Sequence, residues 1–246
     1  MNLRIFNMLK QNLAEAFSLP KYDTLEKNFD KNTIISELPW TPKRFLKFQE
    51  KIQQELDFSE VDLTGTIEQI VKRCNERYMN RFFGEVWQPE TGKYQYSGWN
   101  LVELINNADP KNVLDFGCGY NPFKGRINNL VGIDPYNTAA DYMVDILDFK
   151  VDPQSFDHII VFGSLNFNSK DELEERFAKL DELLMPGGRI YFRANPGHLW
   201  PKGPYVDIFP WSFEFAFELA KKHNLELEKF KKDNGDRLYF EFHKPE

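Results

Sequence analysis

The sequence predicts an α/β protein, with a doubly wound sheet in the second half of the chain behind a helical first half. From residue 112 onward, short apolar runs alternate with helical segments, which is how strands and crossover helices of a parallel sheet are written. Before that point apolar residues recur at helical spacing and no strand pattern competes with them. The last two runs are joined by Asp233-Asn234-Gly235-Asp236, whose Asn-Gly pair signals a hairpin, so the sheet should end on an antiparallel strand. The division expected is residues 1–110 as a helical N-terminal cap and residues 111–246 as the sheet domain.

Taken in order, Leu3, Phe6, Leu9, Leu13 and Phe17 make a first amphipathic helix, and a polar stretch follows to about Pro39. Thr41-Pro42 suits an N-cap and first-turn proline for a helix carrying Phe45, Phe48, Ile52 and Leu56. Thr66 and Gln69 have capping-box spacing ahead of Ile67, Ile70, Val71, Cys74, Tyr78 and Phe82. An aromatic loop over 87–96 leads to Ser97, the expected cap of a helix through Leu101, Leu104 and Ile105 that Asp109-Pro110 ends. Strands are expected at about 112–116, 130–134, 141–144, 156–162 and 188–194. Asn121-Pro122 should start a helix after the first of them. Ser169 and Glu172 should cap another through Leu173, Phe177, Leu180 and Leu183, with Pro186-Gly187-Gly188 stopping it before the next strand. A helix at about 211–223 and paired strands at 225–231 and 237–243 complete the chain.

Composition narrows the function. The 246 residues are 41% hydrophobic and 15% aromatic, with 23 Phe, ample for a large core. A formal charge of −7 argues against a nucleic-acid partner, which selects a basic surface. Two cysteines, Cys74 and Cys118, cannot form a disulfide framework or a multi-cysteine zinc site, and they suit a reducing compartment. No run has the length of a membrane span, and charges interrupt the first helix where a signal peptide needs an apolar core. A cytoplasmic protein without a metal site is the expectation.

The chemistry centres on residues 112–123. Val113, Leu114 and Phe116 form a strand that stops beside an acid, and Gly117 and Gly119 turn the chain closely enough for a ligand to lie on backbone. A phosphate-binding P-loop would require Gly-x-x-x-x-Gly-Lys-Ser/Thr, which is absent. A dinucleotide site would require a third glycine where Pro122 stands. What remains is Asp115-Phe116-Gly117-Cys118-Gly119, an acid, one residue, then Gly-x-Gly.

In this pattern the chain resembles the class I S-adenosylmethionine-dependent methyltransferase family from about residue 112 to its end. Val131-Gly132-Ile133-Asp134 resembles the family's second strand with its acid, Val144-Asp145-Ile146-Leu147 its third motif, and 156–164 its fourth strand. The stretch 183–190 is similar to the family's helix-to-fifth-strand joint. Asn121 departs from the pattern, since many members carry a third glycine there. The resemblance implies a Rossmann-like seven-stranded mixed sheet with helices on both faces and an antiparallel last strand. It also implies S-adenosylmethionine as cofactor. The glycine turn (Asp115, Gly117, Gly119) would approach its methionine part and Asp134, with Pro135 beside it, would grip both ribose hydroxyls. Asp145 and the Ile146 amide would read the adenine edge, and Phe162 and Gly163 would line the methyl side.

The acceptor side is less marked. Ligands of open α/β sheets bind beyond the carboxyl ends of the strands, which puts Asn195, His198 and Tyr205 at the substrate, with His198 the first candidate for a general base and Asp207 and Tyr205 behind it. In the family the segment just before the first strand commonly covers the cofactor, so the resemblance implies Tyr94, Tyr96 and Trp99 as pocket walls. Cys118 reads as a turn residue rather than a nucleophile. If the N-terminal helices close over the pocket, a small-molecule acceptor is favoured. A protein acceptor, or a cofactor-binding partner protein without catalysis, is the alternative, and the oligomeric state stays open.

Overall fold

The structure, a computed structural model, describes residues 61–62, 64–86, 97–167, 169–196, 209–234 and 237–246. The two helices expected before residue 60 lie outside them, as do Tyr94, Tyr96, His198, Tyr205 and Asp207.

The first described helix, α1 (Ile67–Arg81), begins where the capping box placed it. The Thr66 side chain accepts from the Gln69 amide and the Gln69 side chain reaches back to the Thr66 amide. Its stripe of Ile70, Val71 and Cys74 is buried, and it runs into a single π-helical turn, Phe82–Val86. Helix α2 (Ser97–Asn107) leads to strand β1 (Val113–Phe116), followed by β2 (Leu130–Ile133) and β3 (Phe156–Phe162). Helix α3 (Lys170–Leu183), again with a complete capping box from Ser169 and Glu172, joins β4 (Leu184–Ala194). Helix α4 (Phe213–Lys222) and the antiparallel pair β5 (Glu226–Asp233) and β6 (Arg237–His243) close the chain.

These strands form one six-stranded sheet in the order β2-β1-β3-β4-β6-β5, parallel except where β6 meets β4 and β5. One face holds the main core, in which Phe177, Phe192, Trp211, Phe240 and Phe242 interlock under α3 and α4. On the other face, Leu101 and Ile105 of α2 pack with Phe123, Ile127, Val113 and Ile160 over the β1 side.

Three expectations change. Residues 141–144 do not form a seventh strand; only one bridge, Ile133 to Tyr142, remains beside β2. The Asp141 carboxylate, brought back to β2 by the intervening loop, accepts the Gly132 amide at 2.8 Å, so a side chain supplies what a neighbouring strand would. A groove of about 670 Å³ opens there, lined by Val131, Tyr142, Met143, Phe149 and Phe156 and reaching the amino ends of β1 and β3 at Asn112 and Ser155. Second, no helix follows the glycine turn. Asn121 has a left-handed φ of 54°, incompatible with the extended backbone of an N-cap, and the crossover to β2 is a string of turns. Third, Pro186-Gly187-Gly188 does not precede β4 but bulges within it, between the pairings Phe156 to Leu184 and His158 to Arg189.

Candidate functional site

The carboxyl ends of β1, β2, β3 and β4 gather the expected residues along one edge. Asp115 faces Gly132 on one side and Ile160 on the other, and Phe162 lies beside Arg193. Beyond these positions come the glycine turn, Asp134, Gly163 and Asn195.

The glycine turn is bound to β2. The amides of Gly117 and Cys118 donate to the Ile133 carbonyl at 2.8 and 3.1 Å, and the Gly119 amide donates to Asp134 Oδ2 at 3.0 Å. Three successive N–H groups that could form an anion-binding nest are therefore consumed within the protein. Gly117 is obligatory here: its φ is 70°, and a Cβ would stand 2.3 Å from that of Ser164.

Two carboxyl groups border the turn in opposite states of satisfaction. Asp134, 7% exposed, accepts from Gly119 on Oδ2 and from Tyr136 and Asn137 on Oδ1, at 3.0, 2.8 and 2.9 Å. An ionised carboxylate offers about four lone-pair positions, so its open capacity is on Oδ2. Asp115 is 3% exposed, and no described residue hydrogen-bonds its side chain. Burial, reinforced by the charge of Asp134, pushes it up to about 8. Cys118 lies between them; burial and the negative charges of Asp115, Asp134 and Asp141 drive its thiol far above the ordinary range, so it is no nucleophile at neutral pH.

The remaining predicted positions divide. Asp145 accepts the Leu147 amide at 3.0 Å and pairs with Arg176 of α3 at 3.1 Å, so its loop is pinned to that helix. The Ile146 amide donates to no described residue, and Ile146 is itself buried. Gly163 adopts φ 89° and donates to the Arg193 carbonyl, and Phe162 packs edge-on against Phe123 and Tyr239. Asn195 ties the strand ends together, since its amide donates to Asn166 Oδ1 and its carbonyl accepts from Trp211. Pro135 is half-buried beside Asp134. Trp99 packs against Phe123 and beneath the Arg126 guanidinium, 4.6 Å from its ring centre.

Sequence reasoning missed three groups around the turn. Ser164 Oγ, Asn137 Nδ2 and Asn121 Oδ1 are shut off from solvent without a partner among the described residues, an uncommon condition for buried polar atoms. Asn137 was within reach of the sequence, as the polar residue three places after the β2 acid. The segment before β1 also meets the site: Phe83 of the π-turn stacks on Tyr136 at 6.0 Å and touches Phe167 at 5.4 Å. Elsewhere, ligand atoms of Glu226, Glu228 and His243 fall within 4.8 Å of one another. Arg189 already holds Glu228, and His243 pairs with Glu226.

No protein-family model matches the chain, and no curated protein sequence matches it. Solved structures do. The 1,6-didemethyltoxoflavin-N1-methyltransferase of Burkholderia thailandensis, solved with 1,6-didemethyltoxoflavin and S-adenosylhomocysteine bound, is 14% identical, with a TM-score of 0.54 over 76% of this chain and 93% of its own. PH0226 of Pyrococcus horikoshii OT3 is 17% identical, with a TM-score of 0.54 over 70% of this chain and 99% of its own. At such identities the likeness is one of fold, and the strand order and glycine turn agree with it: this chain has the class I S-adenosylmethionine-dependent methyltransferase fold.

Proposed function

We propose that the protein binds S-adenosylmethionine at the carboxyl edge of β1 and β2 and transfers its methyl group to a small nucleophilic acceptor. One observation carries the reading. The turn that a phosphate-bearing nucleotide would use has its Gly117, Cys118 and Gly119 amides already engaged and no helix behind it, while the groups beside it are two buried carboxyls. Such a site suits a ligand that is cationic, rich in hydroxyls and free of phosphate. The toxoflavin enzyme of the same fold, with its bound S-adenosylhomocysteine and small heterocycle, supports both halves of the proposal.

The residues present fit such a ligand. Asp134 Oδ2 has capacity for a ribose hydroxyl, and the unpartnered Asn137 Nδ2 adds a donor nearby. Asp115 supplies a carboxyl without a partner for a cationic group, and Ser164 Oγ an unused hydroxyl against the turn. When bound, the cofactor supplies an activated methyl on sulfur, so the protein's contribution is mainly alignment and exclusion of water. The β3 and β4 ends, clamped together through Asn166 and Asn195, provide a rigid wall for that alignment. A base is required only where the acceptor loses a proton, and His198 is the candidate.

Calorimetry with S-adenosylmethionine tests the cofactor. The native chain should bind it, and Asp134→Asn, which keeps one of the two acceptor oxygens and removes the charge, should bind at least about tenfold more weakly through loss of a charge-assisted hydrogen bond. Absence of binding, or equal binding by the variant, overturns the assignment. Transfer of labelled methyl into fractionated cell extract then identifies the acceptor class.

A further inference from the structure

The sheet face opposite the aromatic core changes character across its width. Over β1 it is apolar, but over β4, β6 and β5 it carries a field of charges and phenols, among them Arg189, Tyr191, Arg193, Tyr239 and Glu241. Nearly every charge there is matched. Arg189 pairs with Glu228 at 2.6 Å, and Lys229 lies 3.1 Å from the buried Glu241, which also accepts from Tyr239 at 2.6 Å. Arg193 donates from Nε to Asp233 and from Nη2 to the Asn234 carbonyl, both at 2.8 Å.

Arg237 is the exception. Asp233 stands opposite it in the ladder but is held by Arg193, and Arg237 Nη1 is sealed from solvent without an acceptor among the described residues; both burial and the neighbouring Arg193 charge weigh against its cation. Lys231, 5.1 Å over the Tyr239 ring, adds a further positive charge to the same corner. A surface whose other described arginines hold carboxylates, and which leaves one guanidinium N–H buried without an acceptor among the described residues, has a place for an anion.

The position gives that place a purpose. Arg237 opens β6, and Leu238 pairs with Ala194 at the end of β4, so this corner lies on the edge that also holds Gly163 and Asp115. Strands stand about 4.8 Å apart, which puts β6 on the order of 10 Å from the end of β3. We propose that Arg237, with Arg193 beside it, is an anion subsite that receives a carboxylate or phosphate group of the methyl acceptor. Its service to an acceptor rests on the methyl-transfer reading; the anion subsite itself does not. The acceptor class is then a small molecule with its anionic group on the order of 10 Å, about two strand spacings, from the end of β3.

The full chain is tested by thermal unfolding at constant ionic strength with inorganic phosphate, with benzoate and with neutral benzamide, each with and without S-adenosylhomocysteine. Phosphate or benzoate should raise the Tm of the native chain by several degrees and benzamide should not; which anion acts separates phosphate-bearing from carboxylate-bearing acceptors. In Arg237→Gln the shift should vanish or require at least about tenfold more anion, about 1.4 kcal/mol by the usual conversion. The unliganded variant should also melt above the native chain, because an unmatched charge has been removed. Equal shifts in the variant, no response of the native chain to either anion, or a lower Tm of the unliganded variant overturns the proposal. An anion response without any binding of S-adenosylhomocysteine would instead overturn the methyl-transfer reading and leave the subsite standing.

Discussion

Asp115 is an acid placed where its charge is unwelcome. Water is excluded from it, no described group donates to it, and the neighbouring Asp134 carboxyl opposes a second negative charge. A carboxyl raised from about 3.9 in an unfolded chain to about 8 in the fold stays protonated at neutral pH. The unfolded chain then binds fewer protons than the folded one through that window. Stability from the neutral form is fully present below about pH 4 and is lost as pH rises toward 8, with a limiting slope of about 1.4 kcal/mol per pH unit. Asp115→Asn keeps the shape and removes the titration. It should therefore melt close to the native chain at pH 4 and progressively above it up to pH 8, and a Tm difference that does not widen with pH would contradict the assignment. On the proposed function, a carboxyl kept neutral in the free protein would become an anion when a cationic ligand arrives beside it.

The glycine turn shows, at the scale of one element, which demands are conformational and which come from neighbours. Gly117 and Gly125 have similar angles, φ 70° and 75°, but a Cβ on Gly117 would meet Ser164 at 2.3 Å, whereas one on Gly125 would meet nothing within 4 Å. Gly125→Ala should cost only the left-handed penalty, about 1–2 kcal/mol. Gly117→Ala adds a backbone displacement that breaks the bonds to Ile133, for a total of about 3 kcal/mol or more. Urea unfolding of the two variants measures the difference; equal losses would mean that Ser164 does not hold the turn. The same element marks what the sequence makes legible. Both capping boxes form as spaced, because every group in them lies within four residues. The helix expected after Asn121 and the strand expected at 141–144 do not form, because Asn121 lies over Gly132 and the Asp141 carboxylate accepts from that residue's amide. Both contacts join residues that only the folded sheet brings together.

Across the whole molecule, the parallel strands and the closing hairpin were readable because apolar runs and turn residues are written locally. The charged face was not, since Arg193 finds Asp233 and Arg189 finds Glu228 only after β4, β6 and β5 have paired. The resulting sheet is asymmetric in strength. β4 has strands on both sides and buried side chains above and below, with Ile190, Tyr191 and Phe192 at most 1% exposed. β2 is an edge of four residues whose outer neighbour is a single bridge and one carboxylate. Local openings follow such differences, because an edge bond can break without disturbing the core. In hydrogen exchange followed by NMR, the amides of 190–192 should exchange only through global unfolding. Gly132 should exchange at least about 100-fold faster, through local opening. Asp141→Ala should speed Gly132 further and leave 190–192 unchanged apart from any shift in global stability. Protection of Gly132 equal to that of β4 would show that the Asp141 carboxylate closes the edge as firmly as a strand, and that Asp134, two residues beyond Gly132 and proposed to hold the ribose, sits on a wall as rigid as the rest of the site.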